Sequence, residues 1–181
     1  MKRFYTREHY LQLVEDLKGA RPDLSLTTDI IVGFPGETDE DFEFTMSLLE
    51  EVRFDASFSF KYSPRPGTPA LKLEKDAVPP EVASERLSRF QARQRVIQIE
   101  ENHALEDEVM DVLVEGASKW DPDVVCGRTG TFKMVNFPGS MDLVGHTVPV
   151  RITRGFVNSL RGTGPTSEAT RSNFSEERSS R

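Results

Sequence analysis

The sequence predicts an α/β fold in two parts, a first half alternating helices with strands and then a small all-β barrel. Three observations carry this. Up to about residue 105, apolar residues recur at helical spacing in three segments separated by two short strand-like runs. From about residue 109 the period becomes two, and glycines and prolines punctuate the chain every several residues. The 181 residues, 36% hydrophobic, suffice for one ordinary domain or two small ones.

Thr6 is placed to cap a first helix through about residue 18. Tyr10, Leu13, Val14 and Leu17 lie on one face, and Gly19 acts as a stop. After Pro22, residues 24–32 read as a buried strand that ends in Gly33-Phe34-Pro35-Gly36. Thr38 and Asp41 have capping-box spacing, and Asp39, Glu40 and Asp41 suit the positive end of a helix. Phe42, Met46, Leu49 and Val52 form that helix's apolar stripe. A second strand carries Phe58, Phe60 and Tyr62 on one side and runs into the proline-rich loop Ser63–Pro69. Pro79 and Pro80 open a long charged helix to about residue 105, with Leu87, Phe90 and Ile97 inward.

The order helix, strand, helix, strand, helix argues for parallel strands joined by helical crossovers. Two parallel strands do not make a stable sheet, so this half is expected to belong to something larger, with edges that normally pair. Beyond it, strand candidates lie at 110–116, 123–127, 131–137, 146–153 and 156–161, and five short strands suggest a closed barrel. Residues 163–181, dominated by Gly, Ser, Thr, Glu and Arg, are expected to be a disordered tail.

Charge divides the chain unevenly. Residues 1–109 carry 14 basic and 22 acidic side chains, whereas residues 110–162 carry 6 and 5. Nucleic acid demands a cationic footprint, so any such contact is expected after about residue 110. No run approaches the length of a membrane span, and the start lacks the apolar core of a secretory signal, so a cytoplasmic protein is expected. One cysteine, Cys126, excludes a disulfide framework, a cysteine-rich zinc site and an iron–sulfur cluster held by this chain's own thiolates. His9, His103 and His146 show no ligand spacing, and no set of nucleophile, base and orienting group emerges.

Three segments could carry chemistry. The strand end Asp29–Thr38 either grips a ligand through a glycine-relaxed loop and helix N–H groups or is simply a tight strand-to-helix turn. The Tyr62–Ala70 loop offers Arg65 to a carboxylate or phosphate, or pairs it with a local acid. In the barrel, Phe132, Lys133, Asn136 and Phe137 lie close together, with Arg151, Arg154 and Arg161 following. Aromatic faces stack on unpaired bases and cations meet phosphates, although Phe132 and Phe137 have opposite strand parity, which sends at least one into the core.

Taken in order, eight stretches carry a resemblance: Met1–Thr6, Thr28–Thr38, Asp41-Phe42, Tyr62–Ala70, Leu113–Gly116, Cys126–Thr129, Val135–Phe137 and Ser159–Gly162. Over about residues 1–162 the chain resembles the C-terminal part of the radical-SAM methylthiotransferases, most closely the MiaB type that modifies tRNA. The resemblance implies the last part of a radical-SAM (β/α) barrel over 1–108, a TRAM domain (a small OB-like β-barrel) over 109–162, and the tail over 163–181. It implies S-adenosylmethionine (SAM) contacts at Asp29, Ile31, Gly33, Phe34, Pro35, Gly36, Glu37, Tyr62, Ser63 and Arg65. Asp29 stands where the family's loose G-x-I-x-G-x-x-E motif has its first glycine, and Glu37 falls one position late. RNA contacts are implied at Lys133, Asn136, Arg151, Arg154 and Arg161.

For the longer enzyme, the resemblance implies methylthiolation of carbon 2 of an isopentenyl-adenosine beside the tRNA anticodon. That enzyme would use SAM and 4Fe-4S clusters whose ligands this chain lacks, act on the tRNA anticodon arm without a membrane, and be a monomer when complete. The 181-residue chain alone is expected to be inactive, its natural partner being the N-terminal part of the same enzyme. Rival expectations are a sister enzyme acting on threonylcarbamoyl-adenosine or a ribosomal protein, a non-catalytic RNA-binding module, and an acidic adaptor without a ligand.

Overall fold

The computed structural model describes residues 4–119, 121 and 123–164. The stretch Met1–Arg3 of the resemblance, and the expected tail from residue 165 onward, lie outside the described residues. The chain divides into two compact units, Met1–Gln98 and Ile99–Arg181.

The first unit orders its elements as α1 (Arg7–Ala20), β1 (Thr27–Val32), α2 (Asp39–Val52), β2 (Ala56–Lys61) and the opening turns of α3 (Pro80–His103). The strands pair in parallel, from Thr27 opposite Ala56 to Val32 opposite Lys61, with α2 as the crossover. Asp55 fixes the start of β1, its carboxylate accepting from Leu26 N–H at 3.1 Å. The strand therefore begins at Thr27, three residues later than expected from residue 24. α2 starts with the predicted capping box, in which Thr38 Oγ1 accepts from Asp41 N–H and the Asp41 carboxylate accepts from Thr38 N–H.

One face of the sheet packs Ile30 and Val32 into a core with Phe42, Leu49, Phe90 and Ile97. The other face carries Asp29, Ile31, Phe58 and Phe60, because side chains alternate along a strand and register partners share a side. On that face Phe58 is 64% exposed and Phe60 56%. The inward stripe of α1 also differs from the expected one. Val14 is buried with Tyr10 and Leu11 against it, whereas Leu13 and Leu17 are exposed. The place expected for Leu17 is taken by Lys18, whose Nζ donates to Val52 O at 2.8 Å, where a cation meets the free carbonyls ending α2.

The second unit begins with the last turn of α3. It continues through β3 (Val109–Ala117), β4 (Val124–Thr129), β5 (Met134–Pro138), β6 (Thr147–Gly155) and β7 (Leu160–Thr163). These five strands form the expected closed barrel in the order β3-β4-β5-β7-β6, with β6 returning to β3. Only β5 and β7 run parallel. Alternate residues fill the interior, among them Val112, Val125, Val135, Phe137, Val150, Ile152 and Leu160.

Two strands start three and four residues later than expected, β5 at Met134 and β7 at Leu160. Residues 131–133 form a turn before β5, since Phe132 adopts φ 62°. Residues 156–159 form the β6–β7 turn, closed by Phe156 N–H donating to Ser159 O at 2.8 Å. Thr163 was expected in the tail but belongs to β7, opposite Arg151. The end of α3 sits directly on β6 at Gly155, where an added Cβ would lie 2.5 Å from the Asn102 carbonyl carbon.

Candidate functional site

In the first unit the strand ends gather most of the residues expected at a cofactor. Tyr62 N–H donates to Val32 O at 2.8 Å, which extends the β1–β2 pairing beyond the strands and sets Tyr62 beside the Gly33–Gly36 loop. The Phe34 and Tyr62 rings meet edge to face, 5.1 Å between centroids. Gly33 and Gly36 adopt φ of 70° and 85°. A side chain on Gly33 would also meet Ala83 Cβ at 2.7 Å, so glycine is required there twice over.

Glu37 turns into the loop. Its two carboxylate oxygens accept from Gly33 N–H at 3.1 and 3.0 Å, and Oε1 also accepts from Arg86 Nη1 at 2.7 Å. Arg86 is only 6% exposed, reaches Asp39 through Nη2 at 2.6 Å and lies over the Phe42 ring. Burial pulls the Arg86 guanidinium down, but the bonds from Asp39 and Glu37 outweigh it and hold its pKa above the ordinary value. Gly33 and Glu37 are thus the lock of the loop, with their hydrogen-bonding groups turned toward each other. Arg86 completes the lock, and no local sequence pattern marks it because its partners lie 47 and 49 residues away.

The other expected positions separate by side. Asp29 and Ile31 stand on the open sheet face, Pro35 is buried, and Gly36, Ser63 and Arg65 are exposed. Ile31 and the Phe34 and Tyr62 rings lie among these polar groups, and the Tyr62 hydroxyl is buried without a hydrogen-bond partner among the described residues.

In the barrel, register places Asn136 of β5 beside Arg161 of β7, and Arg161 beside Arg154 of β6, in one row on the outer wall. Arg154 lies over the ring of Phe156, 5.6 Å from its centroid. Arg161 has no side-chain partner among the described residues.

Lys133 and Arg151 are more committed. Lys133 Nζ donates to Asn102 Oδ1 at 2.9 Å, and Arg151 Nη1 donates to Asp107 O at 2.7 Å. Asn102 is buried and donates to Phe156 O at 2.6 Å and Val157 O at 3.3 Å, which ties the start of β5 to the β6–β7 turn. Phe132, expected on a strand, projects instead from the β4–β5 turn and is 78% exposed. Among the described residues, no group of three or more His, Cys, Asp or Glu could hold a metal ion, and no helix is long and apolar enough to cross a membrane.

A five-stranded closed barrel with a cationic, aromatic-edged outer wall has the architecture of small nucleic-acid-binding β-barrels. Residues 104–163 match the TRAM domain family. Over 162 residues, 90% of its length, the chain is 54% identical to the tRNA-2-methylthio-N(6)-dimethylallyladenosine synthase of Bacillus cereus (strain B4264). It is 50% identical over the same length to the synthases of Desulforamulus reducens and Halalkalibacterium halodurans. It covers 32%, 35% and 30% of these proteins, and so spans about a third of the length of the curated relatives it matches. The chain is a TRAM-bearing homologue of these tRNA-2-methylthio-N(6)-dimethylallyladenosine synthases, as its motifs indicated.

Proposed function

We propose that this chain is the tRNA-docking and barrel-closing part of a tRNA methylthiotransferase that modifies carbon 2 of isopentenyl-adenosine beside the anticodon. The observation that carries the docking role is the row Asn136–Arg161–Arg154 on the barrel wall, edged by Phe156. An arginine without an internal partner is available to phosphate, and a polar amide beside it can bond a base edge or a ribose. The partner this supports is the anticodon arm of tRNA, whose single-stranded loop offers phosphates and unstacked bases together.

The first unit supplies the closing role. Its sheet is covered by helices on one side and leaves Ile31, Phe58 and Phe60 in solvent on the other. In a (β/α) barrel that side faces inward, so further strand–helix units from the rest of a longer polypeptide would cover it. The strand ends would hold SAM, with Ile31, Phe34 and Tyr62 against the adenosine and Ser63 or Arg65 toward its polar part. SAM, when bound, supplies the radical and methyl chemistry in such enzymes. The chain's residues orient it: the Glu37–Arg86 lock fixes the Gly33–Gly36 loop, and the apolar side excludes water. The residues present do not fit an iron–sulfur cluster, since Cys126 is the only cysteine. The cluster ligands would come from the remainder of the enzyme, a cytoplasmic monomer when complete, and the chain alone would be inactive.

The test is binding of a labelled anticodon stem-loop by the full chain across a salt series, with Arg161→Gln beside the wild type. The proposal expects a linear fall of log K with log salt, the slope shrinking by about one in the variant. No binding even at low salt would overturn the docking role. Nucleoside mass analysis of a host lacking the synthase then checks catalysis. The chain alone is expected to leave isopentenyl-adenosine unmodified, and the chain with the remaining two thirds of a relative to restore its methylthio form.

A further inference from the structure

The β4–β5 turn of the barrel presents one aromatic side chain in a way the fold itself does not need. Phe132 takes φ 62°, a left-handed conformation that glycine or asparagine adopts easily and a bulky aromatic does not. It also leaves 78% of its surface in water. Both choices weaken folding, and no packing in the described barrel offsets them.

The turn around it is nonetheless firmly held. Thr129 N–H donates to Lys133 O at 3.0 Å, and Phe132 N–H donates to Thr129 O at 2.9 Å. Thr129 Oγ1 accepts from Lys133 N–H at 3.1 Å and from Thr131 N–H at 3.3 Å. Arg128 Nη1 donates to Phe132 O at 3.2 Å, and the Lys133 side chain is anchored on buried Asn102. The backbone on both sides of Phe132 is therefore fixed while its ring stands free. A rigidly presented aromatic loses little entropy on binding, which suits a stacking surface. A strained residue over-determined by its surroundings is a mark of function rather than of packing.

We infer that Phe132 is a stacking platform for an unpaired nucleobase. The inference rests on the RNA-docking reading above and sharpens it, because the arginine row meets phosphates of any sequence or pairing whereas a ring face selects bases that are free to unstack. The aromatic would then confer preference for a loop over a duplex.

The experiment uses the full chain and two probes, a hairpin with 2-aminopurine in its loop and a fully paired duplex of the same length. Phe132→Gly relieves the left-handed strain, so its melting temperature is expected to equal or exceed the wild type's. Its affinity for the hairpin is expected to fall on the order of tenfold, with duplex affinity and salt slope unchanged and the wild-type change in 2-aminopurine fluorescence lost. Phe132→Leu is expected to behave like the glycine variant, and Phe132→Tyr or Phe132→Trp to restore hairpin binding.

Wild-type hairpin binding with no loss in the glycine variant would overturn the platform and leave the docking reading standing. Equal loss on hairpin and duplex would also overturn it, since losing a stack on a free base cannot weaken a duplex contact. Absence of wild-type binding to either probe would remove both readings, and Phe132 would then be better tested as a protein-binding anchor.

Discussion

Lys133 Nζ donates to Asn102 Oδ1 at 2.9 Å, and the Asn102 amide in turn donates to the Phe156 and Val157 carbonyls. A side chain expected to meet RNA is thereby drawn into holding the barrel's turns together. Asn102→Ala removes the donors of two carbonyls and the acceptor of an ammonium at a buried position. It is expected to cost about 2 kcal/mol, read as a lower urea midpoint of the barrel. Lys133→Ala is expected to leave the salt slope of RNA binding unchanged, in contrast to Arg161→Gln.

Gly155 is the complementary constraint on the same structure. Any Cβ there would press on the Asn102 carbonyl and on His103 N, atoms of a helix backbone that cannot move aside. Gly155→Ala is expected to destabilise the barrel by about 1–3 kcal/mol, while a Gly130→Ala control, open to solvent with nothing within 4 Å, stays near zero. Chemical denaturation followed by circular dichroism separates the two.

In the first unit the corresponding lock is Arg86. Glu37 is nearly as enclosed as Arg86, at 13% against 7% side-chain exposure, so removing the guanidinium leaves a carboxylate without its cation. Arg86→Met is expected to cost about 3 kcal/mol, and adding Glu37→Gln is expected to recover part of the loss because the neutral amide needs no cation. The Asp39 arm matters less, since Asp39 is open to water. A double-mutant cycle on unfolding midpoints reads the coupling.

The capping box carries a pH signature. Asp41 is held below the ordinary carboxylate range, first by the Thr38 backbone N–H, then by the Thr38 hydroxyl, with the Arg86 charge adding to both. A depressed folded pKa gives stability that is complete above the unfolded value and is lost as pH falls through the folded one. Wild type is therefore expected to exceed Asp41→Asn in stability at pH 7, and the difference is expected to vanish as pH falls through the lowered folded pKa of Asp41. Thr38→Ala removes the cap itself and is expected to cost about 1 kcal/mol at neutral pH.

What was legible in the sequence follows from range. The α2 capping box, the α2 stripe and the alternation of the barrel strands depend on residues a few positions apart, and all were readable. The α1 face was misjudged because Leu13 and Leu17 fit the helical period, while the Lys18–Val52 contact that orients the helix is set by tertiary structure. Arg86 and Asn102 act on groups about 50 residues distant, so nothing near them announces their roles. Phe132 falls in a strand candidate because it lies between Gly130 and Pro138-Gly139 in a stretch of period two. Only the φ value marks the turn, and no local pattern encodes a left-handed phenylalanine.

The open face of the β1–β2 sheet gives the last prediction. Phe58 pairs in register with Asp29 and Phe60 with Ile31, so four neighbouring side chains, three of them apolar, face solvent together. Apolar clusters of this kind are interaction surfaces or aggregation hazards, and their removal does not forfeit core packing. Phe58→Thr with Phe60→Thr deletes the rings and substitutes β-branched residues that also favour strands. The double variant is expected to unfold at an unchanged urea midpoint, to bind less of a hydrophobic dye such as ANS, and to stay in solution at higher concentration. If it instead lost 2 kcal/mol or more, as deletion of buried rings does, Phe58 and Phe60 would be core residues of this chain. The sheet would then have no open side for further strand–helix units to cover.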